Sequence, residues 1–468
     1  MNVTMPESQE KVYLKSISFE GVHNRYRLNV EFNKSLSILH GQNGTGKTTL
    51  LHAIANIANC DFLRFAFISF RYVKAIYSND NWVSITRNEN FCMVACASGD
   101  KFQFEISQAL EVLRRHEDER FRREYVSEVV IRQKHFAESN GLSIIKTSYF
   151  PAFRTILEAW STQVDEERSI QLKGRSISSV KKVTEFSRNL FGHFLPRINF
   201  PSPLDIENSL RNEIRDAQIK IGRYDSSVFT ESFVKVFSAL LRGEQGSAQD
   251  AEEILKEISD LTSAPDSRML LDVEGPTQDT YRQLQVLIGS GGRSEDLASS
   301  AVGALEVYRD ALKARKKFQS KIFDEVDKYF DAVNAFLDKE KKELRYEIDP
   351  NRRSPKVGLR FPDNSWSSIL VMSSGERQLL TMLYAVTKMN EDALVLIDEP
   401  ELSLHIDWQE ELLGKMMGQL GGRQIIVCTH SPSIANDYNE YMIEISPDFD
   451  LGPRVALESA LDEDEELI

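Results

Sequence analysis

Long apolar runs are missing from this chain. No uninterrupted stretch of about 18 apolar residues occurs, and the start "MNVTMPESQE" has no basic segment followed by an apolar one. Neither a membrane span nor a secretory leader is therefore expected, and the expected location is the cytoplasm. Cysteine is also scarce. The four residues Cys60, Cys92, Cys96 and Cys428 do not make a disulfide framework. The pair in "FCMVAC" alternates like a half-buried strand and lacks a second ligand pair for zinc, so all four are read as reduced packing residues. Basic residues are outnumbered 57 to 71, giving a formal net charge of −14. That balance argues against a surface built throughout for nucleic acid, while leaving room for a local basic groove. Internal repeats and low-complexity blocks are absent too.

The chain has 468 residues, of which 41% are hydrophobic, enough for two or three domains with a sizeable core. Its most informative stretch is "GQNGTGKT", Gly41 to Thr48, which fits G-x-x-x-x-G-K-[ST]. Glycines let successive backbone N–H groups turn inward around phosphates, Lys47 reaches the β/γ oxygens and Thr48 ligates Mg²⁺. The context agrees. "SLSILHG" reads as a buried strand and "TTLLHAIANIA" as a helix, so a helix N-terminus is aimed at an anion. Asn43, Gly44, Thr45, Gly46, Lys47, Thr48 and Thr49 are the nucleotide-binding candidates.

A second island lies far downstream. "ALVLIDEPE" is an apolar run followed by adjacent carboxylates, suited to a buried parallel strand that delivers acids at its C-terminal end. Asp398 would hold Mg²⁺ and Glu399 would polarise the attacking water. "MSSGERQ" places Ser374 and Gly375 at the start of the apolar helix "LLTMLYAVTKM", where hydroxyl and backbone donors can meet a phosphate. "IIVCTHSPSIA" is another apolar strand, ending at His430, where an imidazole can contact the γ-phosphate. Each of the last two signals is weak alone; their order behind the glycine loop makes them strong.

With these motifs the chain resembles the ATP-binding cassette (ABC) ATPases of the SMC, RecF and OLD branch, over roughly residues 11–105 and 345–447. "IDEPELSLHIDWQ" and "THSPSIA" are similar to ATPase subunits of bacterial antiphage systems, PARIS first and Septu next. The resemblance implies an α/β fold, an ABC-type P-loop nucleotide-binding domain split by a large, mainly helical insertion. It implies ATP and Mg²⁺ as ligands, with Glu399 as catalytic base and His430 as switch histidine. It further implies a head-to-tail dimer in which Lys47, Thr48 and Asp398 of one copy share ATP with Ser374 and Gly375 of the other, and Ser403 to His405 join the two sites. His405 departs from the aspartate usual in transporters. "TSYFPAFR", Thr147 to Arg154, looks like the Q-loop element, with Arg154 either near the nucleotide or a bound partner, or closing a surface turn.

The expected boundaries are 1–154 for the first half of the ATPase domain, 155–344 for the insertion, 345–450 for the second half and 451–468 for an acidic tail. Within the insertion, residues 303–345 place Tyr308, Leu312, Ile322, Val326, Phe330, Val333 and Leu337 on one helical stripe. The stripe is buried either in an intramolecular lobe or at a subunit interface. "RGEQGSAQDAEE" and "LIGSGGRSEDLASS" read as exposed loops. OLD-type nucleases append a nuclease domain, and the chain ends soon after "CTHSP". The expectation is thus an ATPase without its own nuclease, acting as sensor and scaffold for a separate nuclease or toxin effector, with a phage protein as possible trigger. The alternative is a RecF/SMC-like repair ATPase that binds DNA. A transport ATPase fits least well.

Overall fold

The computed structural model describes residues 11–117, 127–142, 145–153, 179–198, 201–242, 248–262, 294–349, 354–388, 393–419, 423–450 and 452. Arg154, nearly all of the acidic tail, and part of each glycine- and serine-rich loop lie outside them. The chain divides into two compact units, 1–202 with 372–468, and 203–371.

Among the described residues the first unit holds two sheets. The seven-stranded one has the order β15-β2-β1-β4-β5-β6-β7, antiparallel throughout. Its strands are β1 (Leu14–Val22), β2 (Tyr26–Glu31), β4 (Tyr72–Tyr77), β5 (Trp82–Arg87), β6 (Phe91–Cys96), β7 (Lys101–Glu105) and β15 (Asp448–Phe449). In β6, alternation puts Cys92 and Cys96 inside. The five-stranded sheet, order β14-β3-β13-β12-β8, is parallel throughout. It comprises β3 (Leu36–His40), β8 (Lys146–Phe150), β12 (Ala393–Asp398), β13 (Gln424–Cys428) and β14 (Met442–Glu444). Leu394 to Ile397 and Ile425 to Val427 are essentially inaccessible, as expected of parallel strands covered on both faces.

Helix α1 (Lys47–Ala58) follows β3. Its Leu50, Leu51, Ala53, Ile54, Ala55 and Ile57 share one core with residues of both sheets, so the helix is apolar on more than the single face its sequence suggests. Further helices among the described residues of this unit are α2 (Ile106–Glu117), α3 (Glu128–Ser139), α4 (Ser179–Phe191), α8 (Ser374–Lys388) and α9 (Ile406–Gln419). Registers set Asp398 beside Cys428, Ile397 beside Phe150 and Cys428 beside Leu39. The C-terminal ends of β3, β13, β12 and β8 therefore form one rim, where open α/β sheets place their ligands.

Among the described residues the second unit is built on the helices α5 (Pro203–Arg242), α6 (Ala248–Thr262) and α7 (Ser294–Leu337). Both α5 and α6 pack along α7. Leu312, Val326, Phe330, Val333 and Leu337 of the stripe are buried, and Tyr308 packs on a cluster of Ile254, Ile258, Val302 and Leu312. Arg315 meets Asp225 at 3.0 Å, and Tyr224 stacks on Phe318. A small antiparallel sheet of β9 (Glu343–Asp349), β10 (Ser354–Arg360) and β11 (Trp366–Ser367) belongs to this unit as well.

Candidate functional site

The rim of the parallel sheet collects the candidate residues. Between β3 and α1 the chain turns through Gly41 to Gly46, and Gly46 adopts φ 90° as the residue before the helix, a conformation costly for any side chain with a Cβ. A Cβ on Gly44 would meet no atom within 4 Å, so the loop is open there. Asn43 is exposed, while Thr45 and Thr49 are half-buried. The Thr45 hydroxyl donates to the Gln42 carbonyl at 2.9 Å. Lys47 is 6% exposed, and its Nζ donates to the carbonyls of Gly41 and Gln42, both at 2.9 Å. The ammonium thus arches back over its own loop. Burial pushes the Lys47 pKa down, and the carboxylates Asp398 and Glu399 oppose that shift. Cys428 lies near enough to interact, but burial raises its thiol pKa well above the ordinary value, so it contributes no charge at neutral pH.

The two sequence islands, 350 residues apart, meet through a hydrogen bond. Thr48 Oγ1 donates to Asp398 Oδ2 at 2.9 Å. A hydroxyl and a buried carboxylate in contact, one at the P-loop helix and one at the end of β12, fit an octahedral, oxygen-ligated Mg²⁺ that keeps several waters. Glu399 follows with φ 49° and its N–H bonded to the Cys428 carbonyl at 2.8 Å. Glu399 Oε1 lies 3.9 Å from His430 Nε2, both side chains about one-third exposed. Glu399 and His430 thus face one another at the rim.

The "MSSGERQ" turn is in the same unit. Ser373 caps α8: its hydroxyl accepts from the Glu376 N–H at 3.3 Å, and Glu376 Oε2 accepts the Ser373 N–H at 2.6 Å. This is the reciprocal pattern of a capping box. Ser374 is exposed and Gly375 is buried. A Cβ on Gly375 would sit 2.5 Å from the Ser403 carbonyl oxygen, so the glycine is required by close approach of the loop after β12. Ser403 itself has φ 67°, and Leu402, Ser403, His405 and Ile406 are exposed. Lys47 Nζ is held by the Gly41 and Gln42 carbonyls, and among the described residues Ser374 makes no hydrogen bond to it.

Four residues near the site escape motif reading. Glu401 and Gln409 bind the segment that carries His430. His52 on α1 contacts the Tyr149 hydroxyl at 2.8 Å, and His23 Nε2 lies 3.3 Å from Thr49 Oγ1. Their partners are distant in sequence, and only Glu401 and Gln409, within "IDEPELSLHIDWQ", stand in a stretch that carries a resemblance.

Residues 24–435 match the AAA ATPase domain family model, and the chain belongs to that family. Its mixed α/β P-loop fold is that of an ABC-type ATPase. It is similar to the retron Ec83 probable ATPase of Escherichia coli, 27% identical over 260 residues, covering 51% of this chain and 44% of that one. It is also similar to the retron Vc95 probable ATPase of Vibrio cholerae serotype O1 biovar El Tor, 28% identical over 111 residues, 21% of this chain and 22% of that one. The matches span less than half the length of these relatives. The Smc head domain with an extended coiled coil from Pyrococcus furiosus, solved with the C-terminal domain of ScpA, aligns over 96% of this chain and 98% of its own. That alignment has 14% identity and a TM-score of 0.39. Among the described residues no helix is long and apolar enough to cross a membrane.

Proposed function

We propose that this chain binds and hydrolyses ATP as the regulatory subunit of a bacterial defence complex, with a separate effector under its control. The observation that carries the ATPase reading is the Thr48–Asp398 hydrogen bond of 2.9 Å, which joins the phosphate loop to the acidic strand end beside Glu399 and His430. The loop N–H groups and Lys47 hold the β- and γ-phosphates. Mg²⁺, held by Thr48 and Asp398, would supply charge neutralisation across those phosphates. Glu399 accepts the proton of the water whose oxygen attacks the γ-phosphorus, as the bond to the bridging oxygen breaks. His430, across from Glu399, contacts the γ-phosphate.

An exposed Ser374 at the capped start of α8 supports a head-to-tail dimer in which Ser374 and Gly375 complete the partner copy's site. The retron naming of two relatives and the resemblance to antiphage ATPases together support the defence setting. PARIS-like and Septu-like readings share the property proposed here, an ATPase whose nuclease or toxin effector is another protein. ATP controls such an effector only through different affinities for the holding and releasing states.

Light scattering of Glu399→Gln protein with Mg²⁺ and ATP tests the assembly. A shift from monomer to dimer mass is expected, abolished by adding Ser374→Arg. Equal ATP-dependent mass gain with and without Ser374→Arg would refute the head-to-tail arrangement. Phage challenge of cells expressing the chain alone or with its chromosomal neighbours tests the setting, with protection expected only in the second case.

A further inference from the structure

Glu401 has no part in the scheme above, yet its carboxylate is built into the site. It lies two residues past Glu399, in the turn whose ends are marked by positive φ at Glu399 and Ser403. From there it turns back to the neighbouring strand end. Its Oε1 accepts the N–H of His430 at 2.8 Å and that of Ser431 at 3.1 Å. Gln409, in the first turns of α9, completes the tie: its Oε1 accepts the Ser431 hydroxyl at 2.8 Å. Its Nε2 donates to the carbonyls of Glu401 at 3.3 Å and Leu404 at 3.0 Å. Glu401 Oε2 is buried without a hydrogen-bond partner among the described residues.

We infer that Glu401 is a positioning residue for His430, and that with Gln409 it couples the exposed loop Leu402 to His405 to the placement of that histidine. The inference rests on the reading of His430 as the γ-phosphate contact. Two backbone N–H groups received by one ionised oxygen are charge-assisted bonds, shorter and stronger than neutral ones. They act on the main chain of His430 itself, so they set where its ring starts from. Ser431 has a local acceptor already, Thr429 Oγ1 at 2.9 Å; a simple cap for the short helix Pro432–Ala435 does not call for a carboxylate reaching across 29 residues of chain. Because Gln409 holds the Glu401 and Leu404 carbonyls at the same time, displacement of the loop by a second copy is transmitted to His430 through two side chains rather than through strand β13.

A double-mutant cycle tests this, using purified full chain and steady-state ATP hydrolysis alongside equilibrium ATP binding. Glu401→Ala is expected to lower kcat by about 10–100-fold, the size of loss that a displacement of about 1 Å produces, with ATP affinity within about twofold. Glu401→Gln, which keeps an acceptor oxygen without the charge, should fall between it and wild type. Combined with His430→Ala, Glu401→Ala should cost no further rate, because both act through one group. Should Glu401→Ala fail to fold, Gln409→Met is put through the same cycle with the same expectation. Losses that multiply, or a loss confined to ATP affinity, would overturn the positioning role while leaving His430 in place. Wild-type turnover in His430→Ala would overturn both that role and the reading it rests on.

Discussion

His52 is a histidine that the fold keeps neutral. It is half-buried against β8, with Nε2 on the Tyr149 hydroxyl and its ring edge-on to Tyr149 and Phe194, and desolvation pushes its pKa from 6.5 to about 3. A depressed folded pKa means that the unfolded chain binds the proton first. Stability is therefore fully retained above the unfolded value of 6.5 and is lost as pH falls toward the folded value, by about 1.4 kcal/mol per pH unit within that window. Replacing His52 by Gln, which can still bond Tyr149, should flatten this part of the acid limb; urea unfolding from pH 7 to pH 4 measures it, and identical slopes in the two proteins would refute the linkage. At this scale the sequence was legible where chemistry restricts residue type. Lys47, Thr48, Asp398 and Glu399 occupy motif positions and meet at the rim. His52, Glu401 and His23 were not legible, since each owes its role to a partner brought close only by folding, 97 residues away for His52 and Tyr149.

Elements position these residues by a few specific contacts. Gln424, at the start of β13, accepts the Leu14 N–H at 2.9 Å and donates to the carbonyls of Leu14 and Asn33, both at 2.9 Å. It thereby staples the parallel sheet to the beginning of the antiparallel one. Gln424→Leu keeps the volume but removes three bonds between buried groups, and should lower unfolding free energy by about 2–4 kcal/mol, read by urea denaturation; a change below about 0.5 kcal/mol would show that the staple is dispensable. The apolar runs of β3, β12 and β13 announced buried parallel strands, and the stripe from Tyr308 to Leu337 announced a packed helix. Strand order was not legible, because it depends on which runs pair across hundreds of residues. Nor were β9 to β11, whose mixed polarity carries no clean alternation next to the end of α7. The capping box Ser373 to Glu376 does follow a sequence pattern, S-x-x-E, hidden inside the signature turn.

The whole chain carries one P-loop site built from its two ends, while the segment between them folds into a separate compact unit of helices and a small sheet. Its family match runs from residue 24 to residue 435, a range that includes residues of both units. At this scale composition bounded size and core but left partner and trigger unaddressed, since neither is written in a motif. The central claim is that ATP is hydrolysed where the phosphate loop and the end of β12 meet, and ATP turnover with bound-nucleotide measurement on wild type and Glu399→Gln tests it most directly. Glu399→Gln should retain ATP while turnover drops by about 10²–10⁴, the usual cost of losing a general base. Wild-type turnover in a folded Glu399→Gln protein would contradict the assignment of the site.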